Sequence, residues 1–281
     1  MFGFLKRRGT NPEDELRKSL GGLALPVFPA IVMQTLEAIR DPEASVGSVA
    51  RVLGSDPGMS VQLLRLVNSA SRGGSRKVES VDRAVAVVGM SEVESLVLSI
   101  GVARSLPKKA VEGFEPTRFW TTAARRASIA RSLTEELHPA MGGVSFTAGL
   151  LQDMAIPLLA SARDDYGPLL TAWHAGEADL AEIERSEFGW DHSEVATWLC
   201  ASWQLPETLA EAIGAHHGTV DGLSAPAAVT LVATLNEAAD SGDIDRLVAL
   251  ASERYGMKTD RCIELIEEAE AAASELTGLF V

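Results

Sequence analysis

Apolar positions recur along this chain at helical rather than alternating spacing. In "DPEASVGSVARVLGSDPGMSVQLLRLVNSA", Val46, Val49, Ala50 and Leu53 fall at i, i+3, i+4 and i+7, and Leu63, Leu66 and Ala70 form a second run. Gly54-Ser55 separates the two runs. Asp56-Pro57 supplies an N-cap and a first-turn proline, whose missing N–H would have no intrahelical partner anyway. "SRGGSRK" is a basic, turn-rich loop. After it, Ser80 caps "VDRAVAVV", Gly89 provides a left-handed stop, and Ser91 to Glu94 reads as a capping box opening "SLVLSIGVARSL". The pattern continues through "WTTAARRASIARSL", "SFTAGLLQDMAIPLLASA", "SEVATWLCASW", "PETLAEAIGAHHG" and "PAAVTLVATLNEAAD", with Pro206 at a helix start. No set of alternating segments could build a sheet, and no repeat of fixed period appears, so the expected fold class is all-α.

Breaks in that pattern predict the organisation. Residues 1–20 lack apolar periodicity and are expected to be loose. The proline-bearing stretch "KKAVEGFEPTRF" predicts a boundary between two packed helical subdomains, residues 21–113 and 114–240. Residues 241–281 read as two more amphipathic helices that pack on the second subdomain or extend it.

Composition narrows the class. At 46% hydrophobic the chain can bury a large core. No uninterrupted apolar run reaches the roughly 18 residues of a membrane span, and "MFGFLKRRGT" does not resemble a signal peptide. A cytoplasmic location is expected, with no membrane partner. Cys200 and Cys262 make no CxxC and match no zinc spacing, so they read as buried, reduced thiols. Charge is uneven: residues 1–163 carry 20 basic against 16 acidic side chains, residues 164–281 only 5 against 23. An acidic half of this kind argues against nucleic acid as the partner.

Read in order, "LPVFPAIVMQTLEAI", "VARVLGSDPGMSVQLLRLVNSA", "VESVDRAVAVVGMSEVESLVLS", "FWTTAARRASIA", "FTAGLLQDMAIPLL", "GWDHSEVATWLCASWQLPETLAEAIGAHH" and "LVATLNEAAD" resemble an HDOD protein, over roughly residues 20–240. HDOD proteins are bacterial signalling modules related to the HD metal-dependent phosphohydrolases. The resemblance implies a regulatory role rather than a well-defined enzyme. Asp153 keeps the carboxylate of the superfamily's His-Asp pair, but Gln152 stands where its histidine would be. The upstream histidine would fall at about Thr122, and Asn236 replaces the final aspartate. An amide carries no charge and shuttles no proton, so three expected ligands are missing or weakened. His192, His216 and His217 stand near positions where hydrolases carry further ligands. For the His-His pair at a helix end there is a plainer reading, interaction with the helix dipole. No metal or other cofactor is expected. Asp153, amid Leu150, Leu151 and Ile156, must find a histidine or arginine partner.

Two other features bear on function. "AVAVVGMSEVESL" has a helix-turn-helix outline, and Arg72, Arg76 and Lys77 could meet phosphate, but its second helix is apolar along its length and should be buried. Arg118, Arg125 and Arg126 lie in a locally basic stretch that could receive a nucleotide second messenger or an acidic partner surface, since arginine binds phosphate bidentately. The leading expectation is a non-catalytic module that binds another signalling protein. The alternatives are a phosphohydrolase or cyclic-dinucleotide phosphodiesterase with a rearranged site on Asp153, His192, His216 and His217, and a non-catalytic cyclic-dinucleotide receptor.

Overall fold

A computed structural model of the chain describes residues 12–21, 26–70, 77–177, 179–218, 225–235 and 241–280. Arg72, Arg76 and Asn236 lie outside the described residues. Among those described there is no β-strand, and the chain runs helix after helix. These are α1 (Pro12–Ser19), α2 (Ala30–Arg40), α3 (Val46–Gly54), α4 (Pro57–Ala70), α5 (Val81–Val88), α6 (Met90–Ser105), α7 (Pro116–Leu137) and α8 (Gly142–Leu151), followed by α9 (Ala155–Ala162), α10 (Gly167–His174), α11 (Leu180–Phe188), α12 (His192–Ser202), α13 (Glu207–Gly214), α14 (Ala225–Val232), α15 (Ser241–Tyr255) and α16 (Thr259–Phe280). The segment expected to be loose contains α1, which packs against α12 and leads into the buried Leu20.

Local chemistry explains several helix ends. Asp56 Oδ1 accepts the Met59 amide at 2.7 Å, and Ser80 accepts the Arg83 amide. The expected capping box at Ser91 does not form, because α6 starts one residue earlier, at Met90. Gly89, at φ 85° and ψ 164°, ends α5 and begins α6, and the two helices meet at a bend of 119°. Only glycine adopts that backbone region without strain. Glu92, freed from capping, pairs with Arg131 of α7. Much of α6 is buried, including Val93, Leu96, Val97, Leu98 and Ile100, so it is a core helix and cannot lie in a DNA groove.

One apolar cluster runs from Val32 of α2 through α3 to α9 and on to Val229 of α14. A second joins Ile129 and Leu133 of α7 to Leu231, Leu235, Leu247, Leu265 and Ile266. The acidic C-terminal helix α16 lies along α7 and ends with Phe280 stacked on Trp120, ring centroids 5.2 Å apart. Trp120, Trp190 and Trp203 are buried, while Trp173 and Trp198 pack at the margin of the core. Cys200 and Cys262 are buried and unpaired, and burial pushes their thiols up to about 12 and about 11, which makes them unreactive. Residues 139–162 are apolar and long enough to cross a membrane by composition, but 89% of their most apolar window is buried within the fold.

Candidate functional site

The run "FTAGLLQDMAIPLL" forms two helices. α8 ends at Leu151, turn residues 152–154 follow, and α9 starts at Ala155. Pro157 lies four residues after Asp153; it has no N–H for the Asp153 carbonyl, and its ring crowds that carbonyl, so a continuous helix is disfavoured there. The break presents Asp153 to α7. The close approach depends on Gly149, where an added Cβ would lie 3.1 Å from the Arg126 carbonyl and 3.2 Å from Ala127 Cα.

Arg126 meets Asp153 in that contact, and both are buried. Its NH1 donates to Asp153 Oδ2, while Nε and NH2 donate to the Leu235 carbonyl at 3.0 and 2.6 Å. Burial alone would raise the Asp153 carboxyl. The Arg126 charge, with hydrogen bonds from His192 and His216, holds it well below the usual carboxylate range instead. Asp153 therefore has both an arginine and histidines as partners.

The other oxygen of Asp153 faces the histidines, with Oδ1 3.3 Å from His216 Nε2 and 3.5 Å from His192 Nε2. His192 is the first residue of α12. Gly189, left-handed at φ 77°, ends α11. Asp191 then caps α12 by accepting the Ser193 and Glu194 amides, and Glu194 returns a bond to the Asp191 amide. This cap fixes where His192 points. Its Nδ1 donates to Glu184 Oε2 at 2.6 Å and its Nε2 lies 2.7 Å from His217 Nε2. Glu184 is fully buried and also accepts the His192 amide at 2.9 Å and the Tyr166 hydroxyl. Burial opposes a charge on His192, but Glu184 and Asp153 outweigh it and raise its pKa to about 10. His192 is thus a cation that donates from both ring nitrogens. His217 is pushed down, by burial first and then by its histidine neighbours, and accepts as a neutral ring. His216 donates Nδ1–H to the Ile213 carbonyl at 2.6 Å.

The histidine pair therefore does interact with the end of α13, as the plainer reading expects, but it does more. His192, His216 and His217 converge, with one ring nitrogen from each within 4.8 Å of the others. Gln152 does not join them. It is buried, and neither its amide nitrogen nor its oxygen has a hydrogen-bond partner. Thr122 is buried on α7, one helical turn before Arg126. The expectation that Arg118, Arg125 and Arg126 serve phosphate meets a different arrangement: Arg125 pairs with Glu270 and Arg126 with Asp153. Both of these arginines are thus engaged by carboxylates within the chain. Sequence reading missed Glu184 and Tyr166. Glu184 could have been flagged, because it continues the Leu180, Ala181 stripe of α11 as a carboxylate in an apolar position. For Tyr166 no signal existed.

A hard divalent ion of the hydrolytic kind wants anionic oxygen donors. Here the one carboxylate of the Gln152-Asp153 pair is engaged by a guanidinium, and the amide beside it is orphaned. Those oxygen donors do not fit such an ion.

The HDOD domain family matches residues 25–219. An uncharacterized protein of Treponema pallidum (strain Nichols) is 26% identical over 197 residues, 69% of this chain, and the chain spans about 37% of that relative's length. A structure from Shewanella amazonensis SB2B, provisionally named a phosphohydrolase, superposes with a TM-score of 0.75 at 22% identity, covering 95% of this chain and 98% of its own. An HDOD domain protein with unknown function from Geobacter sulfurreducens gives 0.71 at 21% identity, covering 95% and 99%. A protein from Marinobacter aquaeolei VT8, provisionally named a signal transduction protein, gives 0.70 at 20%, covering 96% and 65%. At these identities the solved structures establish a shared fold, and the match over residues 25–219 establishes that this chain belongs to the HDOD domain family.

Proposed function

We propose that this chain is a non-catalytic HDOD signalling module that acts by binding another protein, and that its hydrolase-related centre serves as a structural ion-pair network. One observation carries the reading: Arg126 supplies, from within the chain, the positive charge on Asp153 that a metal would supply in a hydrolase. The network closes electrically around it. Asp153 and Glu184 are balanced by Arg126 and the His192 cation, while the Tyr166 hydroxyl donates to Glu184 and the Leu235 carbonyl accepts from Arg126. A hard divalent ion would have to evict a buried guanidinium, leaving that charge uncompensated, at a cost of several kcal/mol. An open groove of about 730 Å³ between α4 and the end of α16, with Val61, Leu64, Arg65 and Leu279 on its walls, offers mixed apolar and charged surface for a partner.

The experiment is a turnover assay on the full chain with Mg²⁺ and with Mn²⁺, against cyclic dinucleotides, nucleotides and a generic phosphodiester. No turnover above buffer is expected. Turnover that Asp153→Ala abolishes in a folded protein would establish the phosphohydrolase reading instead.

A further inference from the structure

We propose that the groove between α4 and the end of α16 is the docking site for an amphipathic helix of the partner protein, apolar along one face and acidic beside it. This rests on the signalling reading and names the chemistry of the partner that reading requires.

On α4, Leu63, Leu66 and Val67 face the core, whereas Val61, Leu64, Arg65 and Asn68, at i, i+3, i+4 and i+7, form a ridge on the groove side. Val61 is 49% exposed and Leu64 is half-buried. Gly278 and Leu279 of α16 make the facing wall, and a Cβ added at Gly278 would meet nothing within 4 Å, so that wall is low. Single exposed valines such as Val27 and Val87 are ordinary on a protein surface. Val61 differs, because it shares a depression of about 730 Å³ with Leu64 and Leu279.

The walls are fixed before any partner arrives. Gln62 of α4 donates from Nε2 to the Leu279 carbonyl at 3.3 Å and accepts from Arg104 Nε at 2.8 Å. Lys108 donates to the Phe280 carbonyl at 3.2 Å, and the Phe280 ring is anchored on Trp120. Beside α4, Asn68 donates to the Val78 carbonyl at 2.9 Å and accepts the Val78 amide at 2.8 Å. A groove formed in advance spares its ligand the ordering that would otherwise weaken binding.

Shape and charge select the occupant. Asn68 uses both backbone groups of Val78, and there is no strand among the described residues, so a partner segment finds no edge to extend as a strand. A helix can instead lay a row of side chains between the α4 ridge and the α16 wall. Arg65 and Lys77 stand on the groove, and among the described residues neither forms an ion pair. Arg40 and Arg104, in the same half of the chain, each have a carboxylate partner. Glu79 is the one carboxylate on the groove, so its charge is positive in a chain of net charge −14. Two unpaired cations beside an apolar floor favour an acidic flank on the incoming helix. A second copy is disfavoured, since two chains of net charge −14 repel each other.

The test is selection on the full chain from a displayed library of random peptides of about 16 residues, enough for about four helical turns, with the enriched peptides remeasured by fluorescence anisotropy. They should carry apolar residues at i, i+3 or i+4, and i+7 with Asp or Glu beside them, and should bind more weakly as salt is raised. Val61→Glu and Arg65→Glu, at exposed positions, should each weaken binding by about tenfold or more with the urea midpoint unchanged, whereas Val87→Glu should bind like the unaltered protein. No enrichment, enrichment of basic sequences, or equal binding by folded Val61→Glu and Arg65→Glu overturns the proposal. So does a dimer in sedimentation that Val61→Glu dissolves, because a second copy would then fill the groove. The signalling reading is tested separately. Peptides that enrich but bind both variants equally overturn the groove assignment and leave a protein-binding module, whereas Asp153-dependent turnover overturns that reading and leaves groove binding in place.

Discussion

Asp153 and His192 face the same problem, a buried charge, and solve it with partners of opposite sign. Their titrations give opposite signatures. The depressed Asp153 carboxyl stabilises the fold above the ordinary carboxylate range, and that contribution is lost as pH falls through its folded value. The raised His192 contributes fully below its ordinary pKa of about 6.5. It loses that contribution as pH rises toward about 10. With a chelator present, the urea midpoint of the unaltered chain should fall steadily from neutral pH into this alkaline window, and much less so in Glu184→Gln, where the carboxylate that raises His192 is gone. A flat alkaline profile would contradict the assigned charge. At this scale the sequence was half legible. That Asp153 needs a histidine or arginine partner could be read from its apolar neighbours, and the structure gives it both. Glu184 and Tyr166 could not be placed, because nothing local says that a tyrosine before α10 and a histidine on α12 share a carboxylate from α11. Nor could the convergence of His192 with His216, 24 residues apart in sequence, be told from two separate helix-end histidines.

Helices deliver these groups through specific devices. Pro157 interrupts what reads as one helix and turns Asp153 toward α7. Gly149 lets α7 and α8 approach, and there the ordinary preference reverses sign. In a solvated helix Gly→Ala stabilises by about 1 kcal/mol. Here the new Cβ would crowd the Arg126 carbonyl and the Ala127 backbone, neither of which can move without shifting α7. Gly149→Ala should destabilise by about 1–3 kcal/mol in denaturant titration, as overpacking does. A stabilising effect would show that the contact is looser than described. Helix existence was readable from periodicity, and the caps at Asp56 and Ser80 from their residue types, whereas those at Ser45, Glu115, Asp179 and Asp191 were not singled out. The start of α6 was not readable, because Gly89 performs two jobs and a capping-box pattern one residue later mimics a start.

Across the whole molecule, Arg126 is a polar tie between two apolar clusters that α7, α14 and α16 also share. Asp153 lies between Leu151 and Met154 of the first, and the Leu235 carbonyl belongs to the second. Its side chain therefore joins the turn after α8 to the end of α14 while neutralising the carboxylate. All-helical class and family were legible from the order of motifs. This tie was not, since an arginine one turn beyond Thr122 reads from sequence as a surface cation.

The most direct test of that tie is a double-mutant cycle on stability, with Arg126→Met, Asp153→Leu and the two combined, followed by denaturant unfolding of the metal-free chain. Each single change leaves one buried charge without its partner and should cost about 3–5 kcal/mol. The combined apolar pair should recover most of that loss, giving a coupling of at least about 2 kcal/mol. Additive losses, with no recovery in the double variant, would contradict the claim that Arg126 is the counter-ion of Asp153.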